Sequence, residues 1–180
     1  MKNIINTNKR DVPMTTDTNQ TVKVRLIQPQ DNPGIAAVIR EVSAEHGLTA
    51  DKGFAVADPI LDTLFEVYSK PRSAYWVVEM DGKIVGGGGV SQVAGGDSET
   101  AELQKMYLSS VLRGKGLAKQ IVLMSLEFAK QQGYTRCYLE TTKELQAAIK
   151  LYEKLGFEFI DEPLGNTGHS DCEIRMLKAL

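Results

Sequence analysis

An α+β, mixed α/β protein is predicted by three features of this 180-residue sequence. Apolar alternation over Thr21–Ile27 gives a first strand and leads into two helical patterns. Ala74–Met80 and Ile84–Val90 flank Asp81-Gly82, a two-residue hairpin turn that forces antiparallel pairing. Ala101–Glu140 reads strand, helix, strand, and such a unit forces a parallel pair joined by a crossover. The sum is a mixed, mostly antiparallel central sheet of about seven strands with helices on both faces.

Residues 1–20 are rich in Asn and Thr and poor in large apolar side chains, which predicts a mobile leader ahead of one domain at 21–180. Asp31–His46 sets Ile35, Val38, Ile39 and Val42 at helical spacing, with Pro33 near its start and Gly47 at its end. After a loop at Leu48–Ala57, Asp58-Pro59 opens a short helix through Leu61, Leu64, Phe65 and Tyr68 that closes before Pro71. Inside the hairpin, the run Gly86–Gly89 has two readings: a strand bulged or pressed close to its neighbours, or room for a ligand. Gly95-Gly96-Asp97 turns the chain into the strand Ala101–Leu108. The helix Gly114–Gln132 presents Leu117, Ile121, Met124 and Phe128 on one face, widened by Leu123 and Leu126, and Gly133 stops it. A strand at Thr135–Glu140, a helix at Lys143–Leu155 ended by Gly156, and strands at Phe157–Ile160 and Cys172–Leu177 complete the chain.

The balance of 21 basic against 23 acidic residues lacks the basic excess of a protein that grips nucleic acid through its phosphates. Cys137 and Cys172 stand far apart with no Cys-x-x-Cys or Cys/His spacing, so buried reduced thiols are expected and no metal site. No apolar stretch has the length of a secretory signal or a membrane span, which predicts a cytoplasmic protein with no membrane partner.

Chemistry concentrates where the strand ending at Leu108 turns into the long helix through Arg113-Gly114-Lys115-Gly116-Leu117-Ala118. Glycines there let backbone N–H groups approach a ligand, the helix N-terminus adds about half a positive charge, and two cations add more. That is a cradle for an anion such as a pyrophosphate. A dinucleotide site of Rossmann type is one alternative, with Glu140 in the place of a ribose-binding acid. Against it, Lys119 occupies the third glycine position and a single strand–helix–strand unit follows a hairpin.

The same segment resembles the Arg/Gln-x-x-Gly-x-Gly/Ala motif of the GNAT (Gcn5-related N-acetyltransferase) family. Ala101–Leu108 resembles that family's fourth strand, and Ala148-Ile149-Lys150-Leu151-Tyr152-Glu153-Lys154-Leu155-Gly156-Phe157 its late helix and following strand. Tyr75–Glu79 and Arg136–Thr142 resemble a bacterial single-domain subgroup.

The resemblance implies acetyl-CoA as co-substrate, with its phosphates on the amides of Arg113, Gly114, Lys115, Gly116, Leu117 and Ala118. Its pantetheine arm would pair with Met106, Tyr107 and Leu108, near a bulge that presents an amide to the thioester oxygen. It implies Tyr152 as acid to the departing thiolate. Leu145 stands where many members carry Asn, which removes one polar contact to the cofactor arm. An alkylamine near pKa 10 must lose a proton before it attacks, so a carboxylate base is required: Glu102 first, Glu140 second. Acceptors in the family enter beside the first two helices, here Glu45, His46, the loop 48–57 and Tyr68, together with His169. The expected activity is direct transfer of acetyl to the primary amine of a small metabolite such as an amino acid, without metal, from a protein that is in this family often a homodimer. An acyl-CoA-binding module without turnover and a protein or peptide N-acetyltransferase are the alternatives.

Overall fold

The computed structural model describes residues 12–15 as backbone, and 20–48, 56, 58–168 and 172–180 in full. Its strands are β1 (Val12–Thr15), β2 (Thr21–Leu26), β3 (Ala74–Met80), β4 (Lys83–Gln92), β5 (Thr100–Leu108), β6 (Arg136–Thr141), β7 (Glu158–Phe159) and β8 (Ile174–Ala179). Its helices are α1 (Asn32–Glu45), α2 (Leu64–Tyr68), α3 (Leu117–Gln131) and α4 (Gln146–Lys154). The eight strands form one sheet in the order β1-β2-β3-β4-β5-β6-β8-β7. Every pairing is antiparallel except β5 with β6.

The expected mixed sheet and its parallel unit are therefore present, with one strand more than predicted. The extra strand falls within the expected leader: Val12–Thr15 pairs with Thr21–Val24 along an edge. Residues 1–11 and 16–19 of that leader lie outside the described residues. Three helix starts also move; that of the helix expected from Lys143 shifts to Gln146. The helix expected from Gly114 begins at Leu117, because Gly114 and Gly116 both take left-handed backbone angles, φ 74° and 73°. The helix expected over Asp58–Tyr68 divides into a 3-10 turn at Leu61–Thr63 and the five-residue α2. A side chain from outside intervenes at the junction: Asn32 Oδ1 accepts the Phe65 N–H at 2.8 Å, and Asn32 Nδ2 donates to Glu66 at 2.8 Å.

The sheet separates two apolar cores. On one face Ile35, Ile39 and Val42 of α1 and Leu64 and Tyr68 of α2 pack on Tyr75 and Val77. On the other, Leu117, Ile121, Val122 and Leu126 of α3 and Tyr152 of α4 pack on Trp76, Val78 and Leu103. Alternate residues of β3 thus feed opposite cores, as the two-residue period of a strand demands. Arg25 clamps the entry to α1 on the sheet, reaching both oxygens of Asp31 (2.6 and 2.9 Å) and Glu79 (2.9 Å).

The glycine run in β4 follows from this packing. A Cβ on Gly89 would stand 2.5 Å from the Tyr75 ring and 2.8 Å from Tyr68, and one on Gly88 would stand 2.8 Å from Met106. Side chains of the protein itself fill the space above and below the run, so the close-packing reading holds and no ligand space is left there. Tyr68 and Tyr75 use it to tilt against each other with ring centroids 5.0 Å apart.

Candidate active site

The parallel seam between β5 and β6 is short: Thr100, Ala101 and Glu102 pair with Arg136, Cys137 and Tyr138, after which the strands diverge. A cleft opens in the gap, lined by Glu102 to Tyr107 of β5, Leu139 to Thr141 of β6, and Leu145, Ala148 and Tyr152 from α4 and its approach. β5 is also bulged. Its register against β4 slips between Gly87, opposite Tyr107, and Gly89, opposite Gln104. Lys105 sits in that step at φ 49°, a left-handed conformation unusual for a residue with a side chain.

The bulge is held from two directions. The buried Tyr75 hydroxyl donates to the Lys105 carbonyl at 2.9 Å, and Lys105 Nζ donates to Asp58 Oδ2 at 2.6 Å. An extra residue in a strand puts two successive side chains on one face, and here Gln104 and Lys105 both point toward α2 and the segment before it. Gln104 Oε1 accepts from Tyr68 (2.8 Å) and Ser91 (2.9 Å), and its Nε2 donates to Glu102 Oε2 at 2.6 Å. Burial, with the negative charges of Glu102 and Asp58 nearby, holds the Tyr68 phenol well above its ordinary range, so it stays a donor.

Tyr152 reaches the cleft from α4, buried and edge-on to Phe157 at 5.8 Å. Burial raises its phenol well above the ordinary value, so it remains protonated across neutral and alkaline pH. Glu140 also lines the cleft. One of its oxygens accepts from Tyr138 of the same strand at 2.6 Å and the other from Thr167 at 2.5 Å, which ties β6 to the 161–168 loop. Glu102 is 2% exposed on the cleft wall at the last paired position of the seam.

Beyond the outer end of β5, Ser110–Leu112 makes one 3-10 turn and the chain enters α3 through Gly114 and Gly116. Among the described residues, chain neighbours aside, nothing lies within 4 Å of where a Cβ would be at either glycine. The Arg113 and Lys115 amides expected in the cradle are taken by the Ser110 and Leu112 carbonyls at 3.1 and 3.3 Å. The left-handed angles of the two glycines open the positive end of a 15-residue helix whose first amides have no partner within the helix. This suits a phosphate-bearing ligand whose chain runs along the β5–β6 gap.

A sequence model of the "Acetyltransferase (GNAT) family" matches residues 42–157. The chain belongs to that family. It is 60% identical over 161 residues to the uncharacterized N-acetyltransferase YjgM of Escherichia coli (strain K12), covering 89% of this chain and 96% of that one. Human N-acetylaspartate synthetase is 43% identical over 93 residues, 51% of this chain; the match spans 30% of that longer relative. Among solved structures, a GNAT acetyltransferase from Staphylococcus aureus Mu50 superposes with TM-score 0.76 at 17% identity, covering 88% of this chain and 98% of that chain. A PaiA N-acetyltransferase from Thermoplasma acidophilum, solved with coenzyme A, gives TM-score 0.68 at 18% identity, covering 88% and 99%. The mixed sheet with flanking helices is the GNAT fold, and the chain is an N-acetyltransferase of this family.

Within this GNAT domain, the structure gathers Glu102, Glu140, Met106, Tyr107 and Tyr152 around one cleft, with Leu145 on its wall. Leu108 lies at the far end of β5, paired with Gly86. Tyr68 approaches from α2 through Gln104. Glu45 turns instead to the glycine turn, where it pairs with Arg113 at 2.6 Å. His46 caps the end of α1, donating its backbone N–H to Ser43. His169 and most of the 48–57 loop lie outside the described residues. Asp58, Tyr75, Gln104 and Lys105 escaped the sequence reading. One signal was available: Gln104-Lys105 sets two polar residues side by side between Leu103 and Met106, breaking the alternation of the strand. Among the described residues no group of three or more His, Cys, Asp or Glu is placed to hold a metal, and no helix is long and apolar enough to cross a membrane.

Proposed function

We propose that the protein transfers acetyl from acetyl-CoA directly to the primary amine of a small metabolite, an amino acid, with both substrates bound together. The observation that carries this reading is a cleft in the β5–β6 gap lined by a buried carboxylate and a buried phenol, with the glycine turn at the head of α3 following the end of β5. Acetyl-CoA supplies the activated acetyl group. The amides of Gly114 and of Gly116–Ala118 would hold its phosphates, and the edge of β5 over Met106–Leu108 that faces the gap its pantetheine arm. The bulge at Lys105 would present a backbone amide to the reacting carbonyl, where a fixed donor stabilises developing negative charge.

Glu102 lies on the cleft wall and serves as base, taking the proton that an alkylammonium must lose before it attacks. Glu140 is the second choice, because its bond from Thr167 fastens the 161–168 loop and its bond from Tyr138 lies within β6. Tyr152 faces the departing sulfur. A phenol raised above its usual range is a weaker acid than a thiol of pKa ~8.5, so its part is to donate a hydrogen bond to the thiolate rather than to surrender its proton outright. A small acceptor also agrees with the relative named N-acetylaspartate synthetase, whose product is an acetylated amino acid.

The test is calorimetric titration with acetyl-CoA, CoA and NAD, followed by thiol release across a panel of amino acids, polyamines and peptides. Acetyl-CoA binding that Gly116→Asp abolishes, with transfer to free amino acids above peptides, is expected. Binding without transfer to any amine would make the protein an acyl-CoA-binding module. Preference for peptides would move it to the protein N-acetyltransferases.

A further inference from the structure

The bulge also positions a charged side chain. It places Lys105 in the wall of the cleft with its side chain only 5% exposed, a costly position for an ammonium group unless it is paired. Asp58 supplies one partner at 2.6 Å, and its other oxygen accepts the Ile60 N–H at 3.1 Å. An ammonium carries three donors, so Asp58 fixes the lysine head and leaves donors over. The neighbouring polar side chains are otherwise engaged. Gln104 accepts from Tyr68 and Ser91 and donates to Glu102. α1 in turn braces the segment bearing Asp58, through Arg40 to both oxygens of Asp62 (3.0 and 2.6 Å) and through Asn32 to the start of α2.

We infer that Lys105 is the specificity-determining residue for the acceptor and takes a carboxylate group of it. The inference rests on the amine-acetyltransferase reading and deepens it. The wall then matches a zwitterion: the amine toward Glu102, the carboxylate toward Lys105, each opposite charge already buried and oriented. Lys105, paired with Asp58, is the one cation among the described residues that line the cleft, and Glu102 and Glu140 are the carboxylates there. The wall therefore offers an acceptor carboxylate one oppositely charged partner, and it is at Lys105 that an acid is told from its amide.

The experiment compares kcat/KM and, in the presence of CoA, calorimetric affinity for L-amino acids and their α-carboxamides, with aspartate against asparagine as the arm for a side-chain carboxylate. The full-length protein is used, with Lys105→Met and Lys105→Arg, and melting temperature as the check on folding. Wild type should favour the acid over its amide at least tenfold, as expected for losing a charged hydrogen bond in a dry site. Lys105→Met should bring the ratio near one and Lys105→Arg should restore part of it. A ratio near one in wild type, or one unchanged in Lys105→Met, would overturn the assignment. So would an equal loss for acid and amide, which would make the lysine a prop for the bulge. Carboxylate-dependent binding that Lys105→Met removes, with no transfer to any amine, would retain the subsite and reject the enzymatic reading instead.

Discussion

Tyr75→Phe tests whether the bulge is held from beneath. The substitution keeps the ring, which packs on Tyr68 and fits the space left by Gly87 and Gly89, and removes only the hydroxyl that donates to the Lys105 carbonyl at 2.9 Å. Tyr75 is fully buried, so no water replaces the lost donor without entering the core. A buried carbonyl deprived of its partner costs about 1–3 kcal/mol. For a domain of this size each kcal/mol lowers Tm by about 2–4 °C, so the melting temperature should fall by about 2–12 °C. The effect should not stop at stability. Lys105 holds a left-handed angle that costs an L-residue about 1–2 kcal/mol, and the tyrosine is one of two ties that keep it there. Freed from it, the bulge relaxes toward regular strand and kcat falls. Circular dichroism melting and thiol-release kinetics measure the two effects. A variant with Tm within about 1 °C of wild type and unchanged kcat would refute the argument that this hydroxyl holds the bulge.

Gly89→Ala should destabilise by about 1–3 kcal/mol through overpacking, because its Cβ meets Tyr75 at 2.5 Å and Tyr68 at 2.8 Å; urea denaturation measures this, and an unchanged midpoint contradicts the packing. Tyr152→Phe should lower kcat about tenfold to a hundredfold while leaving the calorimetric affinity for acetyl-CoA unaltered, and full turnover would remove the phenol from the chemistry. Cys137, pushed up to about 12 by burial, should resist alkylation at pH 8 in the native protein and react on unfolding. The unfolded thiol titrates near 8.5, so its native pKa is the higher of the two. Stability present below about pH 8.5 is then lost progressively toward pH 12, and Cys137→Ala should show a shallower alkaline decline in urea midpoint.

The sheet was largely legible in the sequence because its determinants are local. The Asp81-Gly82 turn fixes one hairpin, period-two patterning marks β3, and glycines with the required left-handed angles mark the ends of helices. The glycine turn and Tyr152 were legible for another reason: their residue types and spacing survive as a motif. What escaped depends on contacts between distant residues. Asp58 meets Lys105 across 47 positions, and Arg113 meets Glu45 across 68, so neither pair leaves a pattern along the chain. The division of the helix after Asp58 likewise depends on Asn32, more than 30 residues earlier. β1 escaped because an edge strand pairs on one side only, and Val12–Thr15 contains a proline that suits such an edge but weakens a strand pattern.

The three-pair parallel seam gives the sheet two leaves, one of five strands and one of three, which share little hydrogen bonding across their boundary. A ligand laid along the gap beyond that seam would touch both leaves and act as the strand that is missing between them. Occupancy would then be read mechanically as well as chemically. Amide exchange in β6 and β8 should slow when the gap is filled, and the smaller leaf should part from the larger first when it is empty.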